Sequence, residues 1–226
     1  MTHRTLMTAA AAMVLTVGTQ SNAQTCLGRA SFSSGVARVG AHYRSVSIYG
    51  GEVGYGKTAS WFGLAQGDRW QTDRDPSFSA SWNRVTATAG YQIPLEASGF
   101  EACPLASVGY FFSGQSRNVN SNSDYTGRQF QLGGAIGYAA GTSSTDWMVV
   151  PSFAMQFARQ TLSGTWEYGN QTFTGSQPSH DFGLWTFTLG ITKDRFTFSP
   201  ILQRAVGICC PTTQWGLGLG YNVGGK

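Results

Sequence analysis

The sequence predicts an all-β protein, a closed, antiparallel, up-and-down transmembrane β-barrel of about ten strands, with eight as the alternative. Three observations carry this. From about Val36, segments of bilayer-crossing length, about 9–11 residues when tilted, alternate apolar and polar side chains with period two. Charged residues make up only 12% of the chain and aromatics 13%, against about 25% charged in ordinary soluble domains, so either a soluble protein has an unusually uncharged surface or much of the surface does not face water. The last strand then sets Trp215, Leu217, Leu219 and Tyr221 on one face and Gln214, Gly216, Gly218 and Gly220 on the other, because side chains alternate along a strand. One face is wide and apolar and the other is almost bare backbone.

Taken in order, residues 1–23 read as a secretory signal peptide. His3 and Arg4 open it, and Leu6 to Gly18 is an apolar stretch too short to cross a membrane as a helix. Ser21-Asn22-Ala23 offers small residues for cleavage. A lipid-modified Cys26 is rejected, because Ala23-Gln24-Thr25 lacks both the preceding Leu and the small residue that such a site needs. Residues 24–35 form an N-terminal segment, 36–223 the barrel and 224–226 a short tail. The formal charge is +4, without a Lys/Arg cluster, so no nucleic-acid footprint is present.

The first strand, 36–44, sets Ala37, Val39, Ala41 and Tyr43 against Arg38, Gly40, His42 and Arg44. The second, 46–56, sets Tyr49, Val53 and Tyr55 against Gly50, Glu52 and Gly54. The third, 59–67, is the weakest, with Phe62 and Leu64 alternating with Trp61, Gly63 and Ala65. A polar loop leads to the fourth, 82–93, where Val85, Ala87, Ala89, Tyr91 and Ile93 share a face and Pro94 ends the strand. The fifth, 104–113, aligns Ala106, Val108, Tyr110 and Phe112, and a Ser/Asn-rich loop spans 114–127. The sixth, 128–139, sets Phe130, Leu132, Ile136 and Tyr138 against Gln129, Gln131 and glycines. The seventh, 147–158, carries Phe153, Met155 and Phe157 opposite Ser152, Ala154 and Gln156, and its Pro151 requires a bulge or a locally open ladder. Trp166, Tyr168 and Phe173 in 159–180 predict a hairpin extending past the main sheet. The eighth (181–192), ninth (195–203) and tenth (214–221) complete the set.

Alternation alone does not say which face is inside; a soluble lipocalin-like barrel would put the apolar face in. The polar face here consists of Gly, Ser, Thr, Gln and a few Arg rather than the Lys and Glu of a water-facing surface. Tyr43, Tyr91, Tyr138, Trp147, Trp185 and Trp215 sit near strand ends, where interfacial girdles form. In hydrocarbon every backbone group must be paired, so the strands must close. The apolar face is therefore expected to meet lipid.

On these residues the chain resembles small bacterial outer-membrane β-barrel proteins of the OmpA-like (outer membrane protein beta-barrel domain) type, over about 30–223. The closest correspondence is in the last strand, where Gln214, Gly216, Leu219 and Tyr221 fall on the polar, glycine, hydrophobic and aromatic positions of that class's C-terminal assembly signal. The departure is the tail Asn222 to Lys226, since the class usually ends on the aromatic. The resemblance implies an integral outer-membrane protein with both termini periplasmic. Its expected partners are outer-membrane lipid, the β-barrel assembly machinery and a surface ligand of the extracellular loops, with no nucleic acid.

In that topology Cys26 and Cys103 both lie at the periplasmic end, making them candidates for a bridge from the N-terminal segment to a turn; three pairings of the cysteines exist in principle. Cys209 and Cys210 fall in the last outer loop. Arg38 and Glu52 share the inward parity of adjacent strands and stand nearly opposite for a turn centred near Ser45. With His42 and Arg84 nearby they would form a polar plug; the alternative is an arginine-lined pore that selects anions. Exposed charged and aromatic residues assigned to outer loops are Asp68, Arg69, Trp70, Asp73, Arg74, Asp75, Trp166, Glu167 and Tyr168. His180-Asp181 at the rim is a weak hydrolase candidate. Gly50-Gly51 and Gly133-Gly134 lie inside strands and are not phosphate loops. No catalytic residue, cofactor or metal site is expected. The sequence thus predicts a non-enzymatic structural or surface-binding barrel, with a small porin-like channel for polar or anionic solutes as the alternative and a hydrolase as the remote one.

Overall fold

The computed structural model describes residues 23–30, 36–45, 47–57, 60–75, 78–95, 99–118, 121–138, 140–141, 147–207 and 212–223. Most of the signal, Cys209, Cys210 and the tail from residue 224 lie outside these. Ten antiparallel strands follow one another round the wall: β1 (Val36–Arg44), β2 (Ile48–Gly56), β3 (Trp61–Asp75), β4 (Phe78–Tyr91), β5 (Phe100–Asn118), β6 (Ser121–Tyr138), β7 (Trp147–Tyr168), β8 (His180–Lys193), β9 (Phe196–Val206) and β10 (Thr213–Val223). Each pairs with the next, and β10 pairs with β1 from Gly216↔Arg44 to Val223↔Ala37, which closes the barrel. Closure leaves no edge in the wall.

The apolar alternation points outward. Leu132 is 68% exposed, Leu219 63% and Phe130 58%, while Gln129, Ser152, Thr188 and Asn222 are buried inside. An apolar surface continuous around a barrel far exceeds the few hundred Å² that soluble monomers expose, so this wall is built for a membrane. Aromatic pairs frame it at both ends. Trp61–Tyr91 (5.2 Å), Phe100–Tyr138 (4.8 Å) and Phe196–Tyr221 (5.1 Å) lie at the end where the termini meet. Lys193 stands over Trp147 there at 5.2 Å, and Tyr43–Trp215 (6.3 Å) lies at the opposite, hairpin end.

Several expectations are corrected. The predicted loops 68–81 and 114–127 are largely strand: β3 to β7 run past the apolar belt and form a β-wall, joined at its far side by Gln171–Ser176 pairing with Ser163–Tyr168 of β7. That last pairing is the hairpin expected over 159–180. Polarity hid the other extensions, because a strand with water on both faces has no apolar alternation. In β3, Phe62 and Leu64 face inward and Trp61 and Ala65 outward. Pro94 does not end pairing; Ile93–Leu95 continues beside the start of β5. At Pro151 the β8 ladder continues in register with Leu189, while pairing to β6 begins only at Ser152. The missing N–H thus falls where one side of the ladder is open.

Residues 23–30 do not lie apart from the barrel. Ala23–Gln24 and Arg29–Ala30 pair around a 3₁₀ turn at Thr25–Leu27, and this small unit packs inside the termini end of the lumen. Cys26 is bonded to Cys103, as expected, although Cys103 sits in the inner wall of β5 rather than in a turn. Phe62, Leu105 and Ala135 surround the bridge with Leu27 and Ala154. On the far side, a Cβ on Gly190 would collide with the backbone of Gly28, so glycine there permits the N-terminal backbone to lie against β8.

Candidate functional site: the lumen

Inward parity brings together the residues with chemistry. On β1, Arg38, His42 and Arg44 point in; on β2, Glu52; on β3, Gln66 and Asp68; on β4, Arg84. The β1–β2 register places Arg38 opposite Gly54 and Glu52 opposite Gly40, two residues from the direct pairing expected. The ion pair forms diagonally instead, Arg38 Nε to Glu52 Oε1 at 3.4 Å. Glycine makes room for it: a Cβ at Gly220 would fall on the Arg38 guanidinium, and one at Gly40 would lie 3.1 Å from the Glu52 carboxylate. The bare face of β10 is therefore space for an arginine.

The centre of the network is Asp68, assigned above to an outer loop. It is 4% exposed because β3 continues inward-outward alternation through it. Its Oδ1 lies 2.7 Å from His42 Nε2 and accepts from Gln66 Nε2 at 2.9 Å. The short contact to a carboxylate puts the ring proton on Nε2. Oδ2 accepts from Arg84 Nε at 2.9 Å and also from its Nη2. Arg84 thus pairs with Asp68. Trp70, also expected outside, faces inward and stacks on Trp82 at 6.0 Å, with Phe111 5.4 Å from Trp82. The Arg84 guanidinium stands 5.4 Å from the Trp82 ring and 5.6 Å from Phe111, a cation–π arrangement. Two signals for Asp68 were present in the sequence: its even parity with Gln66, and the need of inward Arg84 for a carboxylate.

On the β6–β10 side the lumen is different. Gln129, Gln131, Gln156, Gln203 and Gln214, with Ser152, Thr186, Thr188 and Ser199, border a cavity of about 390 Å³ that reaches across to Arg38, Arg44, Glu52 and Arg84 and also touches Cys26 and Leu27. Charge is concentrated on one half of the lumen and uncharged hydrogen-bonding groups on the other.

His180 and Asp181 do not form a pair. They project to opposite faces of β8, and Asp181 is held by Arg159 at 2.8 and 2.7 Å. That bidentate contact keeps the Asp181 carboxyl below the usual carboxylate range. Asp73, Arg74 and Asp75 end β3, whereas Trp166, Glu167 and Tyr168 lie in the β7 extension. In the last strand Leu219 and Tyr221 face outward and Gln214 and Gly216 inward; the strand continues to Val223, and Asn222 N donates to Arg195 O at 2.8 Å.

No family model and no curated protein matches the chain. Solved structures do. The chain is similar to the N-terminal β-barrel domain of OprF from Pseudomonas aeruginosa, at 12% identity and a TM-score of 0.35, over 84% of this chain and 96% of that one. It is similar to the outer membrane protease OmpT from Escherichia coli, at 8% identity and a TM-score of 0.45, over 84% and 93%. It is also similar to Ail, the attachment invasion locus protein of Yersinia pestis, at 10% identity and a TM-score of 0.35, over 84% and 98%. The closed ten-stranded wall itself agrees with a small outer-membrane-type β-barrel.

Proposed function

We propose that this is an integral protein of a bacterial outer membrane, with its termini end in the periplasm, acting as a closed, non-enzymatic scaffold that carries its β-wall outside the cell. The observation that supports this is the matched charge network through the lumen, Arg38–Glu52 and His42–Asp68–Arg84, above the disulfide-held N-terminal unit. The opposite charges of these pairs hold strands β1 to β4 together and offset two of the three inward arginines of the network, which weakens the single-sign lining that would draw ions through. Outer-membrane lipid would surround the wall, the assembly machinery would receive β10, and a surface ligand would meet the extension of β5 to β7.

Planar-bilayer recording tests this. The purified protein is expected to give no stable conductance, and Arg38→Ala or Arg84→Ala to produce flickering openings. Stable conductance of the unmodified protein that changes with those substitutions would instead favour a narrow channel. The cavity of about 390 Å³ that runs between the charged network and the glutamine-rich face of β6 to β10 is the observation on that side.

A further inference from the structure

The lumen has three inward arginines along the charged cluster, and two are matched by carboxylates. Arg44, at the hairpin end of β1, is not: among the described residues no carboxylate lies within ion-pair distance of it. Its Nη1 donates to Gln203 Oε1 at 2.8 Å, and its Nε is buried without an acceptor. Arg44 borders the cavity of about 390 Å³, within the range of small-molecule sites. Two further polar atoms on that cavity's border are buried without partners, Gln214 Oε1 and Ser199 Oγ, and Ser199 is only 5% exposed. Leu27 of the N-terminal unit also borders the cavity.

We propose that this cavity binds a small hydroxylated carboxylate, anchored by Arg44. Asp68 and Glu52 act on Arg44 only from beyond contact distance, and a guanidinium with no carboxylate in contact recognises one by charge-assisted hydrogen bonds. Glutamine amides donate and accept, as serine and threonine hydroxyls do, so Gln156, Gln203 and Gln214 can match hydroxyls of either polarity. A multiply charged anion would need a second unmatched cation, and Arg38 and Arg84 are already neutralised. The site requires entry and retention, not passage, so it stands whether or not the barrel conducts.

Calorimetric titration of the full barrel in detergent micelles tests this, with gluconate, glucose and inorganic phosphate as probes. Saturable gluconate binding is expected, at least ~10-fold tighter than glucose and weakened at least ~10-fold by Arg44→Gln, the scale of a charge-assisted hydrogen bond. Arg159→Gln, on the outer rim, should leave it unchanged. No saturable gluconate binding, equal binding of glucose, or tighter binding of phosphate overturns the assignment. Should Arg44→Gln fail to fold, Gln156→Leu reads the same cavity: several-fold weaker binding supports the site, and unchanged affinity overturns it.

Discussion

At the scale of single residues, Asp68 matters most, because three neighbours depend on its two oxygens. Removing one partner of a buried charge pair typically costs about 3–5 kcal/mol, since the other charge is left without compensation. Asp68→Ala, which strands Arg84 and His42 in the lumen, is expected to lower stability by about that amount in urea unfolding from detergent micelles. Asp181 is the contrasting case. Its pair with Arg159 is solvent-exposed, and exposed pairs contribute little. Hydrogen bonding to Arg159 depresses its folded-state pKa. The small stabilisation is therefore present at neutral pH and lost as pH falls through the folded value. Titration followed by carboxyl NMR should place Asp181 below an ordinary aspartate and return it to the ordinary range in Arg159→Gln. The lumen was legible in the sequence where parity ran through an apolar strand, as for Arg38, His42, Glu52 and Arg84. Asp68 and Trp70 escaped because β3 leaves the apolar belt at their level, and Arg44 because its partner Gln203 is 159 residues away in sequence.

At the scale of elements, the N-terminal unit and the extended strands are what local pattern could not show. Residues 24–30 carry no periodicity, and their place inside the barrel follows from two distant features, Cys103 and Gly190. A cross-link closing a separation of 77 residues contributes about 4 kcal/mol in the chain-entropy account. Cys26→Ser/Cys103→Ser should lose stability on that scale and expose residues near Gly28 to protease. Gly190→Val should release the same segment with the disulfide intact, because its side chain would occupy the backbone of Gly28. Protection of that segment in both variants would show that it is held by something else. The strands of the belt were readable within a few residues because lipid imposes a strict apolar period. Their extensions were not, since Ser, Thr, Asn and Gly in water serve a strand or a loop equally well.

At the scale of the whole molecule, the barrel inverts the arrangement of a soluble protein: the apolar face is outside and the polar face inside. A charge placed on the lipid face near the bilayer midplane costs about 2–4 kcal/mol, so Leu132→Arg is expected to reduce folding into lipid vesicles by that amount, while Gln131→Arg, pointing into the lumen, should not show this depth-dependent loss. The most direct test uses nitroxide labels at Leu219→Cys and Gly218→Cys, introduced singly into a Cys209→Ser/Cys210→Ser background that keeps the Cys26–Cys103 bridge, with the protein in lipid vesicles. The label at 219 is expected to relax with oxygen dissolved in the lipid and to be shielded from an aqueous nickel reagent. The label at 218, one residue away, should lack that lipid-phase relaxation. Equal accessibility of both labels to the aqueous reagent, or the reverse pattern, would contradict the barrel described here.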